Sequence, residues 1–215
     1  ISHTWEGNSI NILPKREVNP INMTVESDWS SASYFYSLAA LSDKATIKLA
    51  SFKKDSLQGD SILVSVYKNF GVETTFDGNA ITLVKHSKPK TKNLKLDLVN
   101  APDLAQTIVV TCFGLGMACE LTGLHTLKIK ETDRLVALKT ELEKLGAEVD
   151  VTNESLILHP AKTIKSNINI ATYNDHRMAM AFAPLALKVP LVIKDAEVVS
   201  KSYPKFWDDL SRLLR

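Results

Sequence analysis

Three stretches of this chain are predominantly apolar for ten or more consecutive positions, at residues 30–41, 103–119 and 178–187. Each is followed by a short β-prone segment, a polar turn and a helical pattern with one apolar face. A helix that lacks a polar face has to be surrounded by protein on every side. The pattern therefore predicts three buried helices that pack against one another, with strands and amphipathic helices around them.

The apolar stretches belong to a repeat. Asp28 and Asp103 open two of them 75 positions apart, Asp175 follows 72 positions later, and Gly71 and Gly146 are again 75 positions apart. We predict three units, at about 21–86, 94–160 and 168–215, of which the first two close with a β-hairpin and the third lacks one. Sheets that face water around buried helices would invert the usual layering of α/β proteins.

Local signals set the boundaries of several elements. Asp77-Gly78 is a tight-turn pair between β-prone residues and predicts the tip of the first hairpin, while the second hairpin runs over 149–158. We also predict short strands at 4–5, 10–13, 45–49 and 191–193, a β-like run at 124–129, and helices at 132–145 and 205–214. The apolar helix of the second unit is expected to continue through Cys119.

The composition is that of an ordinary globular protein, with 45% hydrophobic and 23% charged residues among 215. The 26 basic and 24 acidic residues are interspersed, which argues against general nucleic-acid binding. No run of about 18 apolar residues predicts a membrane span. The basic cluster 85–95 is expected to be a solvated linker. Cys112 and Cys119 are expected to be buried thiols two helical turns apart, without metal-ligand spacing, in a reducing compartment.

The segment Lys128-Ile-Lys-Glu-Thr-Asp-Arg134 is the first candidate for chemistry. It places two lysines, an arginine and a glutamate at the predicted start of the helix 132–145. A helix N-terminus is positive and rich in free N–H groups, so this turn suits an anionic ligand. The alternative is a solvated turn in which Thr132 caps the helix and Asp133 is an acid of the first turn.

Three motifs carry a resemblance to a known family. Lys130-Glu-Thr-Asp-Arg134, Tyr173-Asn-Asp-His-Arg-Met-Ala-Met180 and Glu26-Ser-Asp-Trp-Ser-Ser-Ala-Ser-Tyr-Phe35 resemble signatures of 5-enolpyruvylshikimate-3-phosphate synthases, in order and over essentially the whole chain. The resemblance implies an inverse α/β enolpyruvyl-transferase fold of βαβαββ units with buried helices and solvent-facing sheets.

The resemblance also implies a domain assignment. Residues 21–215 correspond to the C-terminal domain of the family, and residues 1–20 correspond to the tail and crossover of an N-terminal domain. The chain begins at Ile1 rather than at a methionine, so we expect it to be a piece of a longer protein. In the family, the protein's own N-terminus completes the third unit.

Members of the family transfer the enolpyruvyl group of phosphoenolpyruvate to the 5-hydroxyl of shikimate 3-phosphate and release phosphate, in aromatic amino-acid biosynthesis. The resemblance implies these two substrates, glyphosate as a candidate inhibitor, no metal ion and no organic cofactor. It also implies a cytoplasmic location and no partnership with nucleic acid or membrane. Since about half of the family's site belongs to the N-terminal part, we expect the chain alone to be inactive.

Residue roles follow from the motifs on the second unit. Asp103 is expected to contact the shikimate hydroxyls and to act in deprotonating the 5-hydroxyl; a plain helix cap after Pro102 is the alternative. Lys130 is expected at the shikimate phosphate, and Glu131 beside the reacting carbons as a proton-transfer group. Thr126 stands where many members place an asparagine that reaches the shikimate hydroxyls, and its shorter side chain departs from that pattern.

The third unit supplies the other expected site residues. Arg177, together with Arg134, would clamp the carboxylate of phosphoenolpyruvate, since a guanidinium suits bidentate contacts. Lys201 would meet the departing phosphate as a candidate acid. His176 would either orient its neighbours or carry a proton. Asp175 would cap a helix or position Arg177 and Lys201.

Two other functions stay open at this point. The first is the enolpyruvyl transferase that acts on UDP-N-acetylglucosamine and shares the fold; the strings Asp175-His-Arg-Met-Ala-Met180 and Lys130-Glu-Thr-Asp-Arg134 favour the shikimate enzyme. The second is a catalytically silent repeat domain for binding or assembly, against which the joint presence of the acidic and basic site residues argues. Glu26 and Asp28 are expected to hold the crossover between domains.

Overall fold

The computed structural model describes residues 2–15 and 17–214; the predicted crossover position Arg16 and the two terminal residues lie outside them. The helices are α1 (Trp29–Leu41), α2 (Leu63–Val66), α3 (Ala105–Gly114), α4 (Arg134–Lys144), α5 (His176–Phe182) and α6 (Phe206–Leu213). Short 3-10 helices of three to six residues lie at Gly59–Ile62, Tyr67–Phe70, Pro102–Leu104, His125–Ile129, Ala183–Leu187 and Ala196–Lys201. None of the described helices is long and apolar enough to cross a membrane.

The strands form small, separate sheets. They are β1 (His3–Glu6), β2 (Ser9–Ile12), β3 (Ala45–Ala50), β4 (Val72–Asp77), β5 (Ala80–Lys85), β6 (Asn93–Asp97), β7 (Ala118–Thr122), β8 (Val149–Val151), β9 (Leu156–Leu158), β10 (Ile168–Ile170) and β11 (Leu191–Ile193). β1 and β2 form a hairpin, β3-β5-β4 an antiparallel sheet, and β10-β11 a parallel pair. The sheet β6-β7-β9-β8 joins one parallel pair to antiparallel neighbours.

The helices α1, α3 and α5 form the centre of the core and pack against one another. All residues of α1 except Ser31 are buried, and α3 is buried from Ala105 to Phe113. The hydroxyls of Ser33 and Thr107 lie 2.9 Å apart between these two helices. The Thr111 hydroxyl donates to Thr107 O at 2.7 Å and lies 2.8 Å from the Ser37 hydroxyl. Polar atoms on helices without a polar face thus find partners inside the core, as burial requires.

The sheets cover the helices and turn their outer faces to water. Along β5 the residues alternate between buried and half-buried, and along β3 the exposed positions include Lys48. The second unit reads β6-α3-β7-α4-β8-β9, which is the full βαβαββ order. The third reads β10-α5-β11-α6, without a hairpin among the described residues. The predicted inverse α/β fold is confirmed, and so is the first hairpin, although its two-residue turn is Gly78-Asn79 because Asp77 pairs with Ala80 at the end of the ladder.

Several predicted boundaries are wrong. The apolar helix of the second unit ends at Gly114, and Cys119 lies in β7, so the two cysteines are not two turns apart on one helix; both are nevertheless free and buried. The run 124–129 is not β-like: it contains a turn of 3-10 helix. Lys85 does not belong to a solvated linker, because it ends β5, is buried, and donates from Nζ to Phe70 O.

Candidate active site

The candidate site lies where the segments that open the core helices meet. Helix α4 begins at Arg134 and is capped by Asp133, whose carboxylate accepts from Leu135 N and Val136 N at 3.2 Å. The alternative N-cap Thr132 is therefore wrong. Asp103 lies in the 3-10 turn before α3 and makes no side-chain cap bond, so the reading of Asp103 as a plain cap is also wrong. Asp175 does cap its helix, α5, and accepts from Arg177 N at 2.8 Å.

Arg134 is the centre of the cluster. Its guanidinium donates from Nε to Asp175 at 2.7 Å, from Nη1 to Asp103 at 2.8 Å and from Nη2 to Glu131 at 2.6 Å. Only 1% of the Arg134 side chain is exposed. A buried charge needs such partners, because an unpaired one is strongly unfavourable. The guanidinium therefore joins the second and third units and orients three carboxylates at once.

Arg177 lies on the more open side of the cluster. Its Nη2 donates to Asp103 at 3.1 Å, and 16% of the side chain is exposed. The Tyr34 hydroxyl lies beside the same guanidinium, and the carboxyl of Asp60 is close enough to attract it. Burial raises the pKa of Tyr34 to about 12, so its hydroxyl remains protonated at neutral pH. Asp60 accepts from the Ser30 hydroxyl, and burial raises its pKa.

Asp103 is surrounded by three cations. Besides the two arginines, Lys130 Nζ lies 3.5 Å from its Oδ1. Burial raises the pKa of Asp103, but the attraction of Arg177, Arg134 and Lys130 outweighs burial and leaves it below its ordinary value. Asp103 is therefore a carboxylate at neutral pH. It is a weak proton acceptor for as long as all three cations stay in place.

Glu131 and His176 form a second pair at the cluster. The Nδ1 atom of His176 lies 3.9 Å from Glu131 Oε1, and it has no hydrogen-bond partner in the part of the chain that the structure describes. Burial and the Arg177 charge lower the pKa of His176 more than Asp175 and Glu131 raise it. Burial raises the pKa of Glu131, but a backbone hydrogen bond and the nearby positive groups outweigh burial and leave the pKa below its ordinary value. At neutral pH the pair is therefore a neutral imidazole beside a carboxylate.

Lys201 and Thr126 lie outside the ion-paired cluster. Lys201 ends the 3-10 turn Ala196–Lys201, and its Nζ donates to the backbone oxygen of Asn174 at 2.8 Å and to its Oδ1 at 2.9 Å. The partner of Lys201 is thus Asn174, next to the expected Asp175. Thr126 lies in the 3-10 turn His125–Ile129, with an enclosed hydroxyl that lacks a partner within residues 2–15 and 17–214.

A group of potential metal ligands occurs within the cluster. Glu131, Asp175 and His176 each offer one ligand atom, and these atoms lie within 4.8 Å of one another. Arg134 donates to both carboxylates of this group. A metal ion would therefore have to displace a buried guanidinium, and these carboxylates suit the arginine better than a metal ion.

Some partners in the site have no sequence signal. Tyr34 lies in the apolar run of α1 and Asp60 in a polar turn, so nothing in the local pattern marks either as a neighbour of Arg177. Glu26 was expected to hold the crossover; it accepts from Trp29 Nε1 at 2.9 Å, from the Ser56 hydroxyl at 3.0 Å and from Lys53 N at 3.2 Å. Asp28 caps α1 through Ser30 N and Ser31 N.

Comparison with known proteins agrees with the motifs. The profile of the family EPSP synthase (3-phosphoshikimate 1-carboxyvinyltransferase) matches residues 1–210. A 3-phosphoshikimate 1-carboxyvinyltransferase of Bacteroides fragilis is 44% identical over 98% of this chain and 52% of its own length. One from Methanospirillum hungatei is 35% identical over 94% of this chain and 46% of its own length. The chain thus spans about half the length of the curated relatives it matches.

Solved structures show the same fold. An EPSP synthase from Acinetobacter baumannii superposes with a TM-score of 0.80 at 22% identity, over 99% of this chain and 51% of that one. The enolpyruvyl transferase NikO from Streptomyces tendae superposes with a TM-score of 0.61 at 15% identity, over 89% of this chain and 44% of that one. Because the family profile matches residues 1–210 of the 215 in this chain, the chain belongs to the EPSP synthase (3-phosphoshikimate 1-carboxyvinyltransferase) family.

Proposed function

We propose that this chain provides part of an active site that transfers the enolpyruvyl group of phosphoenolpyruvate to the 5-hydroxyl of shikimate 3-phosphate. The observation that carries the proposal is the ion-paired cluster of Asp103, Lys130, Glu131, Arg134 and Arg177 in a chain of this family. Both substrates are anions, and the transfer requires proton movement. The cluster offers cations for the first need and carboxylates for the second.

The proposed reaction has two stages. In the first, the 5-hydroxyl oxygen bonds to C2 of phosphoenolpyruvate, the hydroxyl proton is lost and the methylene carbon gains a proton, which gives a tetrahedral intermediate. In the second, the new methyl group loses a proton, the double bond re-forms and the C–O bond to phosphate breaks. Over the cycle the proton added at the methylene carbon is removed again and the hydroxyl proton ends on the departing phosphate, so the reaction needs proton carriers but no redox partner.

Asp103 is proposed to deprotonate the 5-hydroxyl. In the described structure its pKa is held down by cations, which makes it a poor base. The phosphate and carboxylate of the substrates compete for the same cations, and Lys130 and Arg177 are the exposed ones, at 34% and 16%. Once these two turn to the substrates, the remaining burial of Asp103 raises its pKa. Substrate binding thus activates the base.

The other residues have roles that match their surroundings. Glu131 is proposed to give a proton to the methylene carbon and to take it back in the second stage. It is a carboxylate without substrates, so it has to bind that proton when they arrive, and neutral His176 lies 3.9 Å away. Lys201 is proposed to meet the departing phosphate, because its ammonium is held by Asn174 oxygens rather than by a carboxylate and keeps its full charge for an anion. The hydroxyl of Thr126, which has no partner among the described residues, is proposed to accept a hydrogen bond from a shikimate hydroxyl.

Further cations from outside this chain are proposed as well. Arg134, Arg177 and Lys130 already face Asp103, Glu131 and Asp175, three cations against three carboxylates. Two polyanionic substrates need positive charge beyond this balance. We therefore propose that residues 21–215 form one domain and that a second, N-terminal domain of the same protein closes the site.

Exposed apolar surface supports that second domain. The hairpin β1-β2 is exposed along its whole length and carries Trp5 and Ile12, and the segment that follows exposes Val18, Ile21 and Met23 at 72–83%. Apolar surface of this extent commonly marks an interaction site. The proposal places residues 1–20 in the tail and crossover of the other domain, in a cytoplasmic protein.

Glyphosate is proposed as a competitor of phosphoenolpyruvate. It carries a carboxylate and a phosphonate, and so it could engage the same cations. The proposal predicts that added glyphosate raises the apparent KM for phosphoenolpyruvate and leaves the limiting rate unchanged.

The test is phosphate release from the two substrates. The chain would be assayed alone and mixed with the part of the Bacteroides fragilis relative that lies outside the matched region. We expect turnover only in the mixture, and we expect that turnover to be lost in the variants Glu131→Gln and Lys201→Ala. Glu73→Gln and Lys48→Ala are matched controls on the exposed strands β4 and β3 and should retain turnover.

Three outcomes would contradict parts of the proposal. Turnover by the chain alone would overturn the shared site. Turnover only when UDP-N-acetylglucosamine replaces shikimate 3-phosphate would favour the other enolpyruvyl transferase. No turnover with either acceptor in a folded, associated mixture would favour a silent repeat domain.

A further inference from the structure

Glu141 is a fully buried carboxylate outside the cluster described above. It lies on α4, has 0% of its side chain exposed, and accepts hydrogen bonds at both oxygens. Lys144 Nζ donates to each oxygen at 2.7 Å, the Tyr173 hydroxyl donates to Oε1 at 2.6 Å, and Ala171 N donates to Oε2 at 3.2 Å. Two of its partners thus belong to the segment 171–175 that precedes α5, here called the Tyr173 turn.

The Tyr173 turn has an unusual backbone. Tyr173 and Asn174 both adopt left-handed conformations, with φ of 55° and 57°. Residues with side chains avoid this region, so two in succession persist only where the surroundings hold them. Asp175 N donates to Thr172 O at 2.8 Å, and Glu141 supplies the side-chain bonds from the neighbouring helix.

The Tyr173 turn holds two of the proposed site cations. Asn174 accepts Lys201 Nζ at its backbone and side-chain oxygens, and Asp175 accepts Arg134 Nε. The side chains of these two residues point where they do only while the left-handed backbone is kept. A shift of the turn would move both cations together.

Helix α4 contacts the Tyr173 turn at two points. Arg134, its first residue, bonds to Asp175, and Glu141 bonds to Tyr173. Arg134 and Glu141 are seven positions apart, which is close to two helical turns and places both on one face. Without the Tyr173 bond, Glu141 is joined to the turn only through Ala171 N, so residues 173–175 are held less firmly against α4.

We propose that Glu141, through Tyr173, is a positioning residue for Arg134 and Lys201. It touches neither cation and acts by fixing the turn that holds them. The inference rests on the proposed function insofar as these cations bind and release substrate groups. The Tyr173 hydroxyl is a lasting donor in this arrangement, since burial and the adjacent Glu141 raise the pKa of Tyr173 to about 12.

The test removes one hydroxyl group. Tyr173→Phe deletes the donor to Glu141 and leaves the ring and the backbone bond from Ala171 in place. Tyr36→Phe is the matched control, because it deletes a hydroxyl that lies 2.8 Å from the Thr74 hydroxyl and contacts no site residue. Activity is measured in the mixture with the Bacteroides fragilis segment, and hydrogen exchange of the Arg134 Nε proton is measured by NMR in this chain.

A misplacement of about 1 Å in a catalytic group can slow turnover about 100-fold, so we expect Tyr173→Phe to lower kcat by about 10- to 100-fold. The KM values should change by less than about threefold, because the binding groups remain. Exchange of the Arg134 Nε proton should be at least about 10-fold faster in Tyr173→Phe than in Tyr36→Phe, since the turn opens more often.

The two readouts separate this inference from the proposed function. Equal exchange of the Arg134 Nε proton in both variants would overturn the positioning role, whatever the activity. Exchange in the chain that is faster only in Tyr173→Phe would support the positioning role. If the mixture without any substitution also showed no turnover, that result would count against the proposed function alone. Equal kcat in both variants of an active mixture would overturn the link from the turn to catalysis.

Discussion

Arg134 Nε and Asp175 Oδ2 lie 2.7 Å apart inside the protein, where 1% and 0% of their side chains are exposed. Arg134 begins α4 of the second unit, and Asp175 caps α5 of the third. The pair therefore joins two repeat units at the point where the candidate site is built. Because the guanidinium also contacts Asp103 and Glu131, the arrangement of the carboxylates depends on this buried arginine.

The first prediction concerns the stability that this pair provides. Asp175→Asn keeps a side chain that can cap α5 but removes the charge that faces Arg134. Loss of one partner of a buried ion pair costs about 3–5 kcal/mol, and we expect the lower end because two other carboxylates remain beside Arg134. Urea unfolding followed by circular dichroism would measure the loss.

The control for that experiment is an exposed ion pair. Lys48 Nζ and Asp77 Oδ2 are 3.7 Å apart with 65% and 82% of their side chains exposed. Asp77→Asn should lower the free energy of unfolding by less than about 1 kcal/mol. Similar losses in Asp77→Asn and Asp175→Asn would show that the buried pair contributes no special stability.

The sequence predicts the repeats because they depend on local pattern. Apolar helices, amphipathic helices and the hairpin at Asp77-Gly78 each follow from the order of residue types. The errors arise where the pattern is ambiguous. The apolar run through Cys119 has no period that separates helix from strand, and the structure divides it after Gly114. The short run 124–129 contains β-prone residues, yet tertiary contacts fold it as a 3-10 turn.

The ion pairs of the site could not be predicted in the same way. Arg134 contacts Asp175 across 41 positions and Asp103 across 31 positions, and no local pattern links residues so distant. The motifs identify which residues belong to the candidate site, but not which of them form ion pairs with one another. Their resemblance assigns Arg134 to a substrate carboxylate, whereas its geometry shows three protein carboxylates around it. Only the packing of α3, α4 and α5 reveals those partners.

The second prediction concerns pH. The pKa of His176 is lowered by burial and by Arg177 from the ordinary 6.5, so the unfolded chain binds a proton at a higher pH than the folded chain. The free energy of unfolding should therefore fall as the pH drops below about 6.5. Urea unfolding between pH 7 and 5 should show a smaller fall in His176→Gln.

His159 provides a control of opposite sign. It is exposed, and a hydrogen bond to Asp150 at 2.8 Å raises its pKa. Its contribution to stability is present below pH 6.5 and is lost as the pH rises through the folded-state pKa. His159→Gln should therefore change the slope at and above pH 6.5. An unchanged slope below pH 6.5 in His176→Gln would contradict the assignment of that slope to His176.

The third prediction concerns the glycine that precedes the turn of Lys130. Gly123 has φ of 75°, and an added Cβ would overlap Val99 N and the Asp97 carboxylate, at distances shorter than van der Waals contact allows. Gly78 has φ of 57° and nothing within 4 Å. In Gly123→Ala and in Gly78→Ala, the left-handed backbone conformation of an alanine should lower the free energy of unfolding by about 1 kcal/mol. In Gly123→Ala, crowding should lower it by about 1–3 kcal/mol more. Equal unfolding midpoints in urea would refute this difference.

The fourth prediction separates the two arginines of the site. Arg177 is 16% exposed and has one described carboxylate bond, whereas Arg134 is 1% exposed and has three. Arg177→Lys would remove the proposed bidentate contact with phosphoenolpyruvate and should raise its KM at least about 10-fold, with a stability change below about 1 kcal/mol. Arg134→Lys should instead lower the free energy of unfolding by about 3 kcal/mol, because lysine cannot reach all three carboxylates.

Steady-state kinetics of the mixture and urea unfolding of the chain would measure both effects. Arg212→Lys is the matched control: Arg212 is 74% exposed and donates to Asp209 at 3.3 Å, so neither quantity should change. If Arg177→Lys destabilised the chain as much as Arg134→Lys, the division into a partly exposed binding arginine and a fully buried organising one would be wrong. If Arg134→Lys raised only the KM, its guanidinium would have to leave the three carboxylates when substrate binds.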